Sequence, residues 1–386
     1  MALRQILWMT LAAGLWAGGL GPRAAAAAGP SSAGATVDEA LGVMRAQYGS
    51  ALDEKGLRRG ALEGLMIELD RQTGQRIHAV LSAPEARERQ AYFEGMRRGV
   101  ALEFVMVPGQ GMVVTDVFPG GPADKAGVRL GDLIVGIDDR PLTGLGAPLI
   151  HQLLVRSTGN QVQLDIRREG KLRRVTLQRG TWHLSDVRVS ERDGVQIIRV
   201  PYFGRGVTRA LTEATRGLKD ASDVILDLRS NEGGLLEEAV ASAALFVEQG
   251  AEFGTQQRPG EPPQPLRVPE ARKFAGRIII LANRATAGAA EAFTAAVRLN
   301  GQLRVRVVGT ETAGFAALPG WRALDDDLVI QVADSVIRGP DGSSWAGKGI
   351  APDVLSGPLE LPLASKNGEL PLDVQLETAL RLLRRD

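Results

Sequence analysis

Residues 223–234 read DVILDLRSNEGG, an apolar run that ends in charged residues and then in two glycines. Its first part, DVILDLRS (223–230), is typical of a strand buried on both faces of a parallel sheet. Similar runs, IIRVPYF (197–203), RIIILAN (277–283) and LRVRVVG (303–309), are separated by stretches with helical spacing of apolar residues. This alternation predicts an α/β domain with a mostly parallel sheet and flanking helices.

The predicted helices of this domain are 207–219, 235–249 and 287–299. Between them lies RPGEPPQPLRVP (258–269), whose proline content predicts a surface loop rather than a strand or helix.

A different pattern precedes the α/β domain. Five short strands rich in Val, Leu and Phe follow residue 99, namely VALEFVM, GMVVTDVF, DLIVGID, QVQLDIRR and LRRVTLQR, with one helix at 147–156. They predict a small, partly open β-barrel. Nearer the N-terminus, residues 37–66 show the spacing of two amphipathic helices.

Composition excludes several classes of function. The chain has 386 residues, which predicts two or three domains, and a net charge of +1, which is too balanced for nucleic-acid binding. It has no Cys and only three His, His78, His151 and His183, so we expect no disulfide, no metal centre and no cofactor.

The first residues resemble a targeting segment. Arg4 precedes the apolar run Ile6–Leu20, and the small-residue tract Ala24–Ala28 follows. This order predicts a secretory signal peptide over residues 1–28, because the apolar run is shorter than the ~20 residues that a membrane span needs. We therefore expect an exported protein, periplasmic or extracellular, with no membrane span after signal removal.

The stretch GGPADKAGVRLGDLIVGIDDRPL (120–142) resembles a PDZ domain. The resemblance implies that a peptide adds as a strand beside Leu102–Phe104 and the helix at 147–156. The amides of Gly99, Val100 and Ala101 would receive the terminal carboxylate. Leu102 would line the groove, with Leu149 and Leu153 opposite it; either of these two leucines is equally well explained as a core residue.

Four further strings extend the resemblance to the whole mature chain: ALEGLMIELD (61–70), LDLRSNEGG (226–234), NRATAGAAE (283–291) and GKGIAPDV (347–354). In this order they resemble the carboxyl-terminal processing proteases, which are exported serine peptidases with a PDZ domain and a ClpP/crotonase-like core. The resemblance implies four segments. They are a signal peptide at 1–28, a helical region at 29–98, a PDZ domain at 99–181 and a protease-like core at 182–386.

That family uses a serine nucleophile activated by a lysine. Its serine motif falls on residues 286–291, so the nucleophile position is Gly288. Its lysine motif falls on residues 312–315, so the base position is Phe315. No Lys occurs between Lys273 and Lys348, and no Ser between Ser242 and Ser335, so no shift of the alignment restores the pair.

Other parts of the apparatus are present in the sequence. The resemblance implies an oxyanion hole formed by the amides of Gly233, Gly234 and Ala289, although the same glycines suit an ordinary turn. Thr286 is a weak substitute nucleophile, because it lies two positions away, and Glu291 is expected to be a structural carboxylate. A tricorn-like branch that pairs the serine with His would also place its serine at Gly288.

Three functions remain open from the sequence. The first is a catalytically inactive member that binds C-terminal or unfolded peptides and acts beside an active protease. The second is an endopeptidase with an unorthodox nucleophile such as Thr286. The third is an adaptor whose PDZ domain docks the tail of an envelope protein.

Overall fold

The computed structural model describes residues 33–49, 52–75, 77–107, 109–146, 149–150, 153–154, 159–184, 187–218, 222–269, 275–301, 304–324, 327–357 and 373–385. The chain divides into two compact units, residues 1–61 and residues 62–386. The predicted signal peptide, residues 1–28, lies outside the described residues.

The helices are α1 (Ala33–Tyr48), α2 (Glu54–Thr73), α3 (Ala83–Phe93), α4 (Pro122–Lys125), α5 (Val207–Thr215), α6 (Leu236–Ala243), α7 (Ala289–Gly301) and α8 (Val374–Arg385). The strands are β1 (Ala79–Ser82), β2 (Met96–Gly99), β3 (Leu102–Val107), β4 (Gly111–Val117), β5 (Leu133–Ile137), β6 (Arg140–Pro141), β7 (Gln161–Arg168), β8 (Lys171–Gln178), β9 (Gly180–His183), β10 (Arg188–Arg192), β11 (Val195–Arg199), β12 (Val224–Asp227), β13 (Glu252–Gln257), β14 (Gln264–Arg267), β15 (Ile278–Ala282), β16 (Val305–Gly309), β17 (Ala317–Ala323), β18 (Leu328–Arg338) and β19 (Val354–Leu355).

The first unit contains α1 and the start of α2, as predicted. Arg45 near the end of α1 donates to Glu54 at the start of α2 at 2.6 Å, and Arg58 lies 3.5 Å from Asp38. These two ion pairs join the helices along an antiparallel hairpin.

The second unit, which starts within α2, contains an element that the sequence did not predict. Strand β1 pairs antiparallel with β18, which lies about 250 positions later in the chain. Ser82 then caps α3, because its hydroxyl accepts from the amide of Glu85 at 3.4 Å while the Glu85 carboxylate accepts from the amide of Ser82 at 2.7 Å.

The β-barrel forms as predicted. Its strands run in the order β3-β4-β5-β7-β8, with β6 beside β5, while β2 pairs separately with β9. Ile134, Ile137, Val162 and Leu164 are fully buried inside it, and the helical residues Ile150, Leu153 and Leu154 close one side. Other residues of the predicted helix at 147–156 lie outside the described part. Strand β3 is an edge strand, since among the described strands it pairs only with β4.

The α/β core has a six-stranded sheet in the order β10-β11-β12-β15-β16-β19. Only β10 is antiparallel to its neighbour; the rest are parallel. Ile198, Leu226 and Ile280 face α5, α6 and α7 on one side of the sheet. Ile225 and Ile279 face α8 on the other. The predicted fold class is confirmed.

A second, antiparallel sheet joins β1, β18, β13, β14 and β17. The prediction that 258–269 contains no strand was wrong, because Gln264–Arg267 forms β14 and pairs with β13. Pro265 is tolerated there because β14 lies at the edge of the sheet, where a residue without an N–H leaves no interior ladder position unfilled.

Candidate functional site

The turn after β12 begins with a buried ion pair. Arg229 donates to Asp227 from Nη2 at 2.7 Å and from Nε at 2.9 Å, and it also contacts Asp373, just before α8, at 2.7 Å. Burial works to raise the pKa of Asp227, but the guanidinium of Arg229 outweighs it and holds that pKa below its usual range. The start of the turn is therefore fixed to the sheet and to the C-terminal helix.

Asn231 fixes the middle of the turn. It is fully buried, and its side-chain amide donates to the carbonyl of Val200 at 2.9 Å. Its Oδ1 accepts from the amide of Gly233 at 2.9 Å. Because this amide already has an acceptor, Gly233 does not offer the free N–H that its predicted oxyanion role requires.

The other two predicted oxyanion residues differ from Gly233. No acceptor among the described residues receives the N–H of Gly234 or that of Ala289, the first residue of α7. A Cβ built on Gly233 would lie 3.0 Å from the nitrogen of Ala289, so the turn and the start of α7 are in close contact. Two free amides thus remain where the family resemblance places the oxyanion hole.

The predicted nucleophile position has space but no side chain. Gly288 adopts a left-handed conformation with φ +55°. A Cβ built there would meet only the carbonyl oxygen of Glu232 at 3.8 Å and the Cα of Gly233 at 3.9 Å. These are ordinary contact distances, so the backbone around residue 288 would accommodate a side chain.

Glu291 organises the backbone around this position. One carboxylate oxygen accepts from the hydroxyl of Thr312 and from the amide of Gly314 at 2.7 Å. The other accepts from the amides of Phe315 at 2.7 Å and Gly288 at 3.0 Å. Burial raises the pKa of Glu291, and these hydrogen bonds oppose the rise. Glu291 is fully buried and ties the predicted nucleophile position to the predicted base position.

Phe315, at the predicted base position, is half-buried, and its carbonyl accepts from the indole of Trp345 at 3.2 Å. The fold also brings Lys348 to this loop, since a Cβ on Gly314 would lie 3.0 Å from the backbone nitrogen of Lys348. The side chain of Lys348 is exposed, and the sequence did not predict that this residue lies beside the loop of Phe315.

Thr286 is placed as a structural residue. Its side chain is fully buried. Its hydroxyl donates to the carbonyl of Leu228 at 2.8 Å and accepts from the amide of Asn283 at 3.0 Å. Both functions of the hydroxyl are therefore used to close the loop before α7.

A cleft of about 1860 Å³ lies between the barrel and the core. Val100, Ala101 and Leu102 of the predicted peptide groove line it on one side, and Glu232 of the β12 turn lines it on the other. Ala101 has φ +58°, and Gly99 is the last residue of β2.

Leu149 and Leu153, predicted to lie opposite Leu102, do not line this cleft, whereas Leu154 does. Leu153 is buried in the barrel core, with 8% of its surface exposed, which fits the alternative explanation of a core residue. Leu149 is 40% exposed and points away from the barrel interior.

Sequence reasoning missed an aromatic and ionic cluster at the mouth of the cleft. The hydroxyl of Tyr92 donates to the carboxylate of Glu232. The guanidinium of Arg97 lies 3.4 Å from the centre of the Tyr92 ring and 4.3 Å from that of Tyr202. Burial raises the pKa of Tyr92 above its usual value. No local pattern identifies this cluster, because its members lie on separate elements.

Among the described residues, no group of three or more carboxylate or imidazole side chains converges as metal ligands. His78 contacts Asp70 through Nδ1 at 2.6 Å. Within the same residues, no helix is long and apolar enough to cross a membrane.

The structure combines a small β-barrel that has an exposed edge strand with a parallel α/β core. The β12 turn and the start of α7 meet beside the cleft. This combination defines a PDZ-containing, protease-like class of fold. Comparison with known families agrees. Residues 88–178 match the PDZ domain, and residues 194–356 match peptidase family S41. The chain therefore contains a PDZ domain and a peptidase family S41 domain, which confirms the resemblance inferred from the sequence motifs.

Curated relatives include two proteins named "Probable CtpA-like serine protease". That of Staphylococcus haemolyticus is 27% identical over 249 residues, which are 63% of this chain and 49% of the relative. That of Staphylococcus epidermidis is 26% identical over 306 residues, 77% of this chain and 60% of the relative. The chain thus spans about half to three fifths of the length of these relatives.

Two solved structures share the fold. The photosystem II D1 C-terminal processing protease superposes with a TM-score of 0.52 at 22% identity, over 86% of this chain and 91% of that one. A putative S41 protease from Bacteroides fragilis gives a TM-score of 0.56 at 18% identity, over 75% of this chain and 83% of that one.

Proposed function

We propose that this protein is a catalytically inactive S41 relative that binds the C-terminal ends of unfolded chains through its PDZ domain. One observation carries the proposal. The free edge of β3 and the β12 turn line the same cleft, yet the residue at the family's nucleophile position is Gly288.

Three positions favour inactivity. Gly288 has no nucleophile, and Phe315 has no group that accepts a proton. Thr286 has a hydroxyl, but it is buried and used by two backbone partners. Loss of the nucleophilic serine from a serine protease lowers kcat by roughly 10⁶. The geometry of Thr286 therefore favours binding over an endopeptidase with a relocated nucleophile.

The exposed edge of β3 favours peptide binding. An unpaired strand edge offers a row of amide and carbonyl groups to a second extended chain. The PDZ mode of recognition adds the ligand as a strand and captures its terminal carboxylate with backbone amides, here those of residues 99–101. The expected ligands are the C-termini of proteins. The expected partner proteins are an active protease or an envelope protein. Export through the predicted signal peptide belongs to the same proposal.

Amidation of the ligand tests the proposal. A fluorescein-labelled, unstructured peptide ending in a free leucine carboxylate should bind the full chain, as measured by fluorescence anisotropy. The same peptide with an amidated C-terminus should bind at least about tenfold more weakly, because the carboxylate loses its charge-assisted hydrogen bonds. Equal binding of the two peptides would contradict carboxylate capture in the PDZ groove.

A further inference from the structure

Several buried nitrogen atoms on the wall of the cleft have no hydrogen-bond acceptor among the described residues. They are Nε and Nη2 of Arg188, Nε of Arg199, Nε1 of Trp182 and Nη2 of Arg97. All of them are donors. Acceptor oxygens brought to this part of the cleft would satisfy these donors, since buried donors without partners are unfavourable.

Three of these residues form one cluster. Arg188 and Arg199 are direct partners across β10 and β11, so their side chains lie on the same face of the core sheet. The guanidinium of Arg188 lies 4.4 Å from the centre of the Phe118 ring, and the rings of Phe118 and Trp182 are also 4.4 Å apart. The donors thus collect around Phe118, whose amide donates to the carbonyl of Ala101 at 3.1 Å.

The cluster covers one face of the peptide-binding strand. Leu102 and Phe104 pack into the barrel core, so the side chain between them, Glu103, points to the opposite face. Nη2 of Arg199 donates to Glu103 at 2.6 Å. Asp116, the partner of Glu103 on β4, accepts from Arg188. The α/β core therefore places two arginines against the outer face of β3, next to Ala101.

Alternation along a bound peptide then decides which of its side chains meets the arginines. With the terminal carboxylate at residues 99–101, the terminal side chain enters the apolar side of the barrel with Leu102. Successive side chains of a strand point to opposite faces, so the penultimate one points to the face of Glu103. That face is the one covered by Arg188 and Arg199.

We infer that Arg188 and Arg199 form a second recognition site, which binds the side-chain carboxylate of an acidic penultimate residue in the docked peptide. This inference rests on the proposed function, because it concerns the peptide in the PDZ groove. Each guanidinium has five N–H donors, so Glu103 and Asp116 leave donors for a further carboxylate. Specificity for the peptide is therefore shared between the PDZ domain and the α/β core.

The test uses four fluorescein-labelled Gly-Ser-Ala peptides and the full chain, with fluorescence anisotropy as the readout. They end in Glu-Leu or Gln-Leu, each as a free acid or an amide. We expect the Glu-Leu acid to bind about tenfold more tightly than the Gln-Leu acid, the effect of one charge-assisted hydrogen-bonded pair. Amidation should weaken both peptides by the same factor, which separates terminal capture from side-chain recognition.

Substitutions at Arg188 test whether this residue causes the preference for Glu over Gln at the penultimate position. Arg188→Gln should reduce the Glu/Gln ratio to about one, because the charged pair with the penultimate carboxylate is lost. Arg188→Lys, which keeps the charge and the contact with Asp116, should give an intermediate ratio because lysine lacks the planar fork. The matched control is Arg173→Gln, since Arg173 is exposed on β8 at the opposite edge of the barrel sheet.

The experiment distinguishes failure of the proposed function from failure of the inference about the arginines. If neither free-acid peptide binds, the proposed function is wrong and the inference falls with it. If both bind with equal affinity, or if Arg188→Gln keeps the full Glu/Gln ratio, peptide binding stands and the role assigned to the arginines is overturned.

Discussion

Two polar clusters of the core, one around Glu291 and one at Arg188 and Arg199, differ in how completely their hydrogen-bond donors are used. At Glu291, three backbone amides and one hydroxyl converge on a single carboxylate, and every oxygen is used. At Arg188 and Arg199, donors exceed the acceptors that the described residues provide. Saturated polar clusters fix a local structure, whereas donors left open in a cleft mark a place for a ligand. The backbone around Gly288 and Phe315 is thus fixed by a saturated cluster, whereas the two arginines keep donors that a ligand could use.

The largest effect should come from Glu291→Gln. One oxygen becomes an NH₂ group that faces an existing N–H donor in either orientation, so we expect a loss of about 3–5 kcal/mol in the free energy of unfolding. Urea denaturation measures it, with the exposed Glu311→Gln as the control. A loss below about 1 kcal/mol would show that this cluster does not fix the loop.

Asp227→Asn should cost about 3 kcal/mol at neutral pH, because it breaks a buried ion pair with Arg229. The folded-state pKa of Asp227 is lowered, so its stabilisation is complete above the unfolded pKa and is lost as the pH falls through the folded pKa. The difference between wild type and variant should therefore shrink below about pH 4. Urea denaturation across this range measures it, with the exposed Asp139→Asn as the control. A difference that stays constant with pH would contradict the assignment.

Two glycines of the site should differ in their response to alanine. A Cβ on Gly234, at φ +118°, would lie 2.5 Å from the carbonyl oxygen of Phe203, so Gly234→Ala should cost at least about 2 kcal/mol. Gly288→Ala meets no such contact and should cost only about 1 kcal/mol for its left-handed backbone. Thermal unfolding of the two variants compares them directly, and equal losses would show that residue 288 has no room for a side chain.

The smallest effect should come from Arg188→Gln, with a stability change of about 1 kcal/mol or less. Asp116 retains Arg199 at 3.6 Å, and two nitrogens of Arg188 already lack acceptors. Urea denaturation should therefore separate this variant from Glu291→Gln by more than about 2 kcal/mol. A large loss of stability in Arg188→Gln would mean that the arginine pair stabilises the fold as Glu291 does. The contrast between the two clusters would then disappear.

Local pattern was enough for much of the fold. The apolar runs around 223–230 and 277–283 predicted central strands, and alternation predicted the five barrel strands. It was not enough for β1, a four-residue strand whose partner β18 lies far along the chain. It also failed at β14, where the prolines suggested a loop but an edge position accepts Pro265.

The candidate site, like the fold, was predictable only where short sequence motifs define it. The motifs located Gly288, Phe315 and the β12 turn, because short strings define them. They did not predict that Asn231 uses the amide of Gly233, nor that Arg188 and Arg199 reach the outer face of β3. The first contact lies within the β12 turn, whereas the arginine contacts depend on how the barrel packs against the α/β core, which no local pattern predicts.

The most direct test of inactivity with retained binding is a cleavage assay on the purified full chain. An unstructured protein substrate would be incubated with wild type and with Thr286→Ala, and the products read by mass spectrometry. The account predicts no cleavage above background by either protein, while the Glu-Leu acid peptide still binds. Cleavage by wild type that is lost in Thr286→Ala would contradict it, and would make this chain a peptidase with a relocated nucleophile.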